Sequence, residues 1–220
     1  MRGWIEITVR DKHGRVIQHG KHEMRSFVNN FLKLFAGMLS APGNTPTAMG
    51  YYGVYASTSV IDPTGATQTI YIEWYGNANA AGGGVVCAAK APGSDDSYGI
   101  VVGSGSTTLT LDQYTLATKI SHGTGSGQLS YGISTFDDLG LDMTVSPPVY
   151  RFRLLRTFTN NTSAPININE VGIIGRSYWK FTSVAQDIKY MISRDVLPTT
   201  YTVPAGGTAT VAITIEVEVG

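Results

Sequence analysis

The sequence of 220 residues predicts a mainly β protein, an antiparallel β-sandwich of jelly-roll-like kind with an N-terminal β-hairpin and one amphipathic helix. Three observations lead there. Short runs of alternating apolar and polar residues recur about a dozen times between turn-rich stretches. A single stretch carries helical spacing. No strand–helix–strand rhythm of the kind that builds a parallel sheet is visible. Hydrophobic residues make up 42% of the chain, enough for a buried core, while charged residues make up only 15%. The 16 basic and 16 acidic side chains cancel. That balance argues against a broad electrostatic footprint for nucleic acid or an anionic membrane, and it is compatible with dense self-association.

The elements follow in order. Residues 4–10 (WIEITVR) alternate, and DKHG followed by RVIQHG supplies a turn and a return strand, so the chain opens with a hairpin. Ser26 is then a natural N-cap for a helix on which Phe27, Phe31, Leu34, Phe35 and Met38 form an oily stripe, until SAPGNTP breaks the pattern. Asn30, Lys33 and Gly37 fall largely off that stripe. The stripe needs a partner surface, either the sheet of the same subunit or a neighbour's, so Phe27, Phe31, Phe35 and Met38 are candidate assembly residues. Residues 1–40 therefore read as a hairpin-plus-helix docking element, and residues 41–220 as the sandwich domain.

Within that domain, residues 41–99 are a Gly-, Ala- and Tyr-rich elaboration with short strands at 51–56, 69–75 and 84–90. Tyr51, Tyr52, Tyr55, Tyr71, Trp74 and Tyr75 cluster there. Such aromatics pack across strands or, alternatively, stack on sugars, for which Tyr71, Trp74 and Tyr75 are the candidates. Between 98 and 132, Gly103-Ser-Gly105 and Gly123-Thr-Gly125-Ser-Gly127 invite a phosphate-loop reading. They lack its Lys-Ser/Thr and a following helix, so they read as tight loops between strands.

Residues 149–175 alternate on both sides of an NNTSAP break. They read as a central hairpin in which Phe158 opposes Ile168, Arg156 opposes Glu170 and Leu154 opposes Gly172. The Arg156–Glu170 ion pair would fix its register, because a lone charge on a core face is costly. Ala205-Gly-Gly207 reads as the hairpin turn into a closing strand whose Val211, Ile213, Ile215, Val217 and Val219 share one face.

Little here points to catalysis. The single cysteine, Cys87, excludes an internal disulfide framework and reads as a small buried hydrophobe. His19, His22 and Glu23 lack the spacing of a helical metal pair, and Asp95, Asp96, Asp137, Asp138 and Asp142 lack that of a calcium loop. No nucleophile sits on a recognisable turn beside a base, so no catalytic, metal or cofactor residue is assigned. A polysaccharide hydrolase would need two carboxylates about 5–10 Å apart in a cleft. The first residues turn polar at once, and no apolar run approaches the ~20 residues of a membrane span, so the expectation is a soluble, cytosolically made protein.

Four stretches carry a resemblance: VGSGSTTLTLDQYTLATKI (102–120), TFTNNTSAPININEVG (157–172), SRDVL (193–197) and VPAGGTATVAITIEVEV (203–219). Their glycine-threonine turn before D-x-Y-x-L, T-F-T-N-N turn leading to N-E-V-G, R-D-V-L step and closing P-x-G-x-T strand resemble virion structural proteins of tailed prokaryotic viruses. The resemblance implies a β-sandwich building block of a virus particle, in head surface, neck, tail or baseplate. It implies copies of itself and other virion proteins as partners, and it brings no catalytic residue. The alternatives from other classes are a receptor- or glycan-binding module at a virion tip and, less strongly, a surface-polysaccharide hydrolase.

Overall fold

The computed structural model describes residues 1–40, 53–75, 84–181 and 184–219, with side chains except at 40, 53–56, 71–75, 84–86, 179–181 and 184–185. Among the described residues, twelve strands and one helix run in the order β1 (Arg2–Arg10), β2 (Val16–Met24), α1 (Asn29–Ser40), β3 (Gly53–Ile61), β4 (Thr67–Tyr75), β5 (Gly84–Ala88), β6 (Gly99–Gly103), β7 (Ser130–Tyr131), β8 (Thr135–Asp142), β9 (Val149–Thr159), β10 (Ile166–Phe181), β11 (Val184–Val203) and β12 (Thr208–Glu218). They form a mainly β, antiparallel, sandwich-like molecule. The first sheet has the order β2-β1-β12-β9-β7, with β8 also on the β9 edge. In the second, β11-β10-β5 is the path and β6 also pairs with β10. β3 and β4 form a separate two-stranded arm.

Alternation builds the first sheet. Ile5, Ile7 and Val9 of β1, Val211, Ile213 and Ile215 of β12, and Leu154 and Phe158 of β9 turn one parity inward and are buried. The opening hairpin forms as expected, with Asp11 holding the turn through the amides of His13 and Arg15. Ile168, Val171, Tyr190 and Met191 bring the second sheet's contribution to the same continuous core.

The expected central hairpin does not form. β9 pairs with β12 in the first sheet, while β10 pairs with β11, β5 and β6 in the second, so NNTSAP is a corner between sheets. Alternation says which face of a strand is buried but not which strand lies beside it. The Ala205-Gly-Gly207 turn is likewise a crossing, from β11 in one sheet to β12 in the other. Asn160, fully buried, clasps the two corners together. Its backbone exchanges hydrogen bonds with Gly206 and Gly207, its side-chain amide donates to Ala164 O and Val203 O, and its Oδ1 accepts from the amide and hydroxyl of Thr162.

The helix starts later than expected. Ser26 donates to the carbonyl of Arg194 instead of capping, Phe27 bridges to Ser193 of β11, and α1 begins at Asn29. Its buried residues are Asn30, Leu34 and Gly37, so the face turned to the body is rotated from the oily stripe. Asn30 explains the rotation: its side chain brackets the backbone N–H and C=O of Ile61 at 2.9 and 2.8 Å, tying the helix to β3.

Candidate functional site

Two buried guanidiniums hold the long connections onto the sheets. Arg194 of β11 and Glu170 of β10 pair at 2.6 Å with both side chains fully buried. Glu170 also accepts hydrogen bonds from the amides of Gly105, Ala117 and Thr118, and Arg194 donates onward to Gln113 and Thr107. Of the Gly103-Ser-Gly105 loop, the Gly105 amide donates to this chain's own carboxylate, Glu170. A Cβ on either glycine would stand within 2.6 Å of Glu170 Oε1.

The expected Arg156–Glu170 pair is therefore overturned, since the two residues lie in different sheets. Arg156, 1% exposed, forms no ion pair with a carboxylate among the described residues. It donates to five backbone carbonyls, those of Gly132, Tyr98, Ile100, Pro92 and Asp95, and lies 4.7 Å from the Tyr131 ring centre. Burial presses its pKa down against the neighbouring phenols and carboxylates. A charged pair inside the apolar SRDVL strand was the signal for Arg194, and sequence reasoning passed it over.

The oily stripe divides. Phe27 and Phe31 pack against the core, their rings 4.4 Å apart, and Phe31 lies 6.3 Å from Phe35. Phe35 and Met38 are more than half exposed, as are Leu32 and Leu39. Beside Phe27 and Phe31 the two sheets part to leave an almost wholly apolar groove of about 180 Å³. Phe152, Leu154, Ile213 and Ile215 form one wall, Ile173 and Ile192 the other, and Met1 and Phe136 the rim. Phe136 begins a further exposed run, with Leu139 and Leu141 on β8 and Met143 just beyond it, on an edge strand that sequence reasoning missed.

A second cleft of about 560 Å³, lined by both polar groups and apolar surface, opens where the β3–β4 turn meets the body. Asp62 and Thr64 come from the turn, Gln68 from the start of β4, Asp96, Ser97, Thr115 and Lys119 from the connections, and Asp187 and Lys189 from β11. Ile174, Ile188 and Pro63 supply apolar wall. Thr64 and Gln68 hydrogen-bond to Asp62 and, with the Ala66 amide, hold it at about 2. Burial works to raise Asp96 and Asp187, yet both stay below the usual carboxylate range. The His122 amide and Lys119 outweigh burial at the first, Arg176 and Lys189 at the second. All three are carboxylates at neutral pH, acceptors and not acids.

Tyr71, Trp74 and Tyr75 lie on β4, but their side chains, like residues 51 and 52 and the Tyr55 side chain, lie outside the described set. His19 and His22 face opposite ways on β2, toward Thr8 and Tyr201 respectively. Among the described residues no three His, Cys, Asp or Glu side chains gather as a metal site. Cys87, expected to be buried, is exposed. No described helix is long and apolar enough to cross a membrane. The chain matches no protein family, curated protein or solved structure with which it was compared.

Proposed function

We propose that this protein is a structural building block of a virus particle, a capsid-associated, neck or tail component that works by self-assembly and by contact with other virion proteins. The observation that carries the reading is the exposed apolar surface of Leu32, Phe35, Met38 and Leu39 on the helix and of Phe136, Leu139 and Leu141 on β8, with an apolar groove at Phe27, Phe31 and Phe136. Exposed apolar surface of this kind marks interaction sites in soluble proteins. The zero formal net charge leaves no general self-repulsion to oppose contact between copies. The resemblance of four stretches to virion structural proteins points the same way. Three of those stretches converge in space, Glu170 and Arg194 meeting the 105–118 loop.

Light scattering on a sizing column, followed by negative-stain microscopy, tests it. The expected result is a ring, tube or closed oligomer well above 23.5 kDa. Phe35→Asp combined with Met38→Asp should return it to monomer while changing fold stability by less than about 0.5 kcal/mol, since both side chains already face solvent. A wild-type monomer at all concentrations overturns the assembly reading.

A further inference from the structure

The cleft at the β3–β4 turn has no part in the exposed apolar surface, and its chemistry is of another kind. Its volume of about 560 Å³ lies within the range of small-ligand sites. Its charges are mostly paired: Asp96 faces Lys119 at 3.1 Å, and Asp187 is shared by Arg176 and Lys189 at 2.8 Å each. The lining carboxylates Asp62, Asp96 and Asp187 face Lys119 and Lys189, and Arg176 pairs with Asp187 from outside the lining, so the cleft has no large excess of one sign to concentrate an anion or a metal ion.

What it offers is a dense set of donors and acceptors beside a strip of aliphatic wall. Carboxylates accept, ammonium groups donate, and Gln68, Thr64, Ser97 and Thr115 do both. An uncharged ligand that exchanges many hydroxyl hydrogen bonds and lays C–H surface on Ile174, Ile188 and Pro63 fits that inventory. Paired residues also lose less on binding such a ligand, because they arrive already oriented by one another.

We infer that this cleft between the β3–β4 turn and β11 is a binding site for a neutral saccharide, contacted by Gln68, Thr115, Lys119, Asp187 and Lys189. Thr115, Lys119 and the β11 residues come from the body, while Asp62, Thr64 and Gln68 come from the arm, so the turn forms one lip of the site. An open cleft that offers both polar groups and aliphatic wall holds one saccharide weakly. A particle bearing many copies would raise the effective affinity by about 10²–10⁴. The avidity rests on the assembly reading, but the site itself does not.

The test displays the biotinylated full chain on streptavidin, which supplies multivalency whether or not the chain assembles. It is applied to an array of neutral hexose, deoxyhexose and N-acetylhexosamine oligosaccharides, with sulfated and sialylated ones alongside. The expected result is retention on a subset of the uncharged glycans, reduced at least tenfold by Gln68→Ala combined with Lys189→Met. Thr115→Val should reduce it at least threefold, and it guards against misfolding of the double variant because it alters one hydroxyl. Melting temperatures of all forms should agree. Retention confined to charged glycans, or to none, overturns the assignment. So does equal retention by wild type and variants, or loss on Trp74→Ala with the cleft variants unaffected, which moves the binding to β4.

Discussion

Arg156 and Arg194 are both fully buried arginines on strands of one sandwich, yet they keep their charge in opposite ways. Arg194 has a carboxylate, Glu170, and the pair then recruits amides, a carbonyl and a side-chain amide from the 105–118 connection. Among the described residues Arg156 has no carboxylate in an ion pair with it, and five carbonyls from 92–100 and 132 converge on it instead. In both places irregular backbone runs over a sheet without a ladder to satisfy it, and buried backbone groups must find partners. The difference teaches that the cluster is set by which backbone groups the connection leaves over. N–H groups call for an acid, with an arginine behind it. Carbonyl groups call for an arginine alone.

The largest expected effect comes from breaking the carboxylate pair. Arg194→Ala leaves Glu170 buried without its cation and should cost roughly 3–5 kcal/mol, a fall of roughly 6–20 °C in melting temperature. Adding Glu170→Ala should cost less than the sum of the singles, with a coupling of about 1–3 kcal/mol, because the two act as a unit. Combining Glu170→Ala with Arg156→Ala should be additive within about 0.5 kcal/mol, since they share no partner. Coupling in that second cycle would restore the hairpin register that the structure rejects.

Next in size is Asp195, the residue after Arg194, which is the counter-example to Glu170. Burial raises its carboxyl to about 6 against the Arg25 and Ser26 amides, and its Oδ2 has no hydrogen-bond partner among the described residues. A pKa above the unfolded value of 3.8 means that the folded state holds the proton more tightly. Its stabilising contribution is complete below about pH 4 and is lost as pH rises to about 6, amounting to at most about 3 kcal/mol. Asp195→Asn should remove that slope. Urea titrations of both forms from pH 3.5 to 7 check it, read as the difference between them, because Asp62, Asp96 and Asp187 titrate with the opposite sign. Parallel curves would refute the shift.

The smallest effect sharpens the carbonyl side of the comparison. Arg156→Lys keeps the charge but replaces a planar five-proton fork by a three-proton ammonium, and should cost about 2 kcal/mol by chemical denaturation. A neutral outcome would mean that charge, and not geometry, holds the five carbonyls. Glu170→Gln, by contrast, retains an acceptor yet loses the anion, so the two conservative changes separate charge from shape at the two sites.

The residues themselves determined the fold class, the opening hairpin and the closing strand, because the period-two placement of Ile5, Ile7 and Val9, and of Val211, Ile213 and Ile215, depends only on which side of a pleat each residue occupies. They also indicated that buried charge at Arg156 and Glu170 needed an answer. Partners were a different matter. Which strand lies beside β9, which face of the helix turns inward, and which groups reach Arg156 depend on the corner at Asn160, the bracket between Asn30 and Ile61, and connections tens of residues away. The cleft is legible only in three dimensions, since Asp62, Asp96 and Asp187 come from three separate stretches of the chain. Local alternation is written in neighbouring residues, whereas pairing and clefts arise from long-range contacts that one chain's periodicity does not encode.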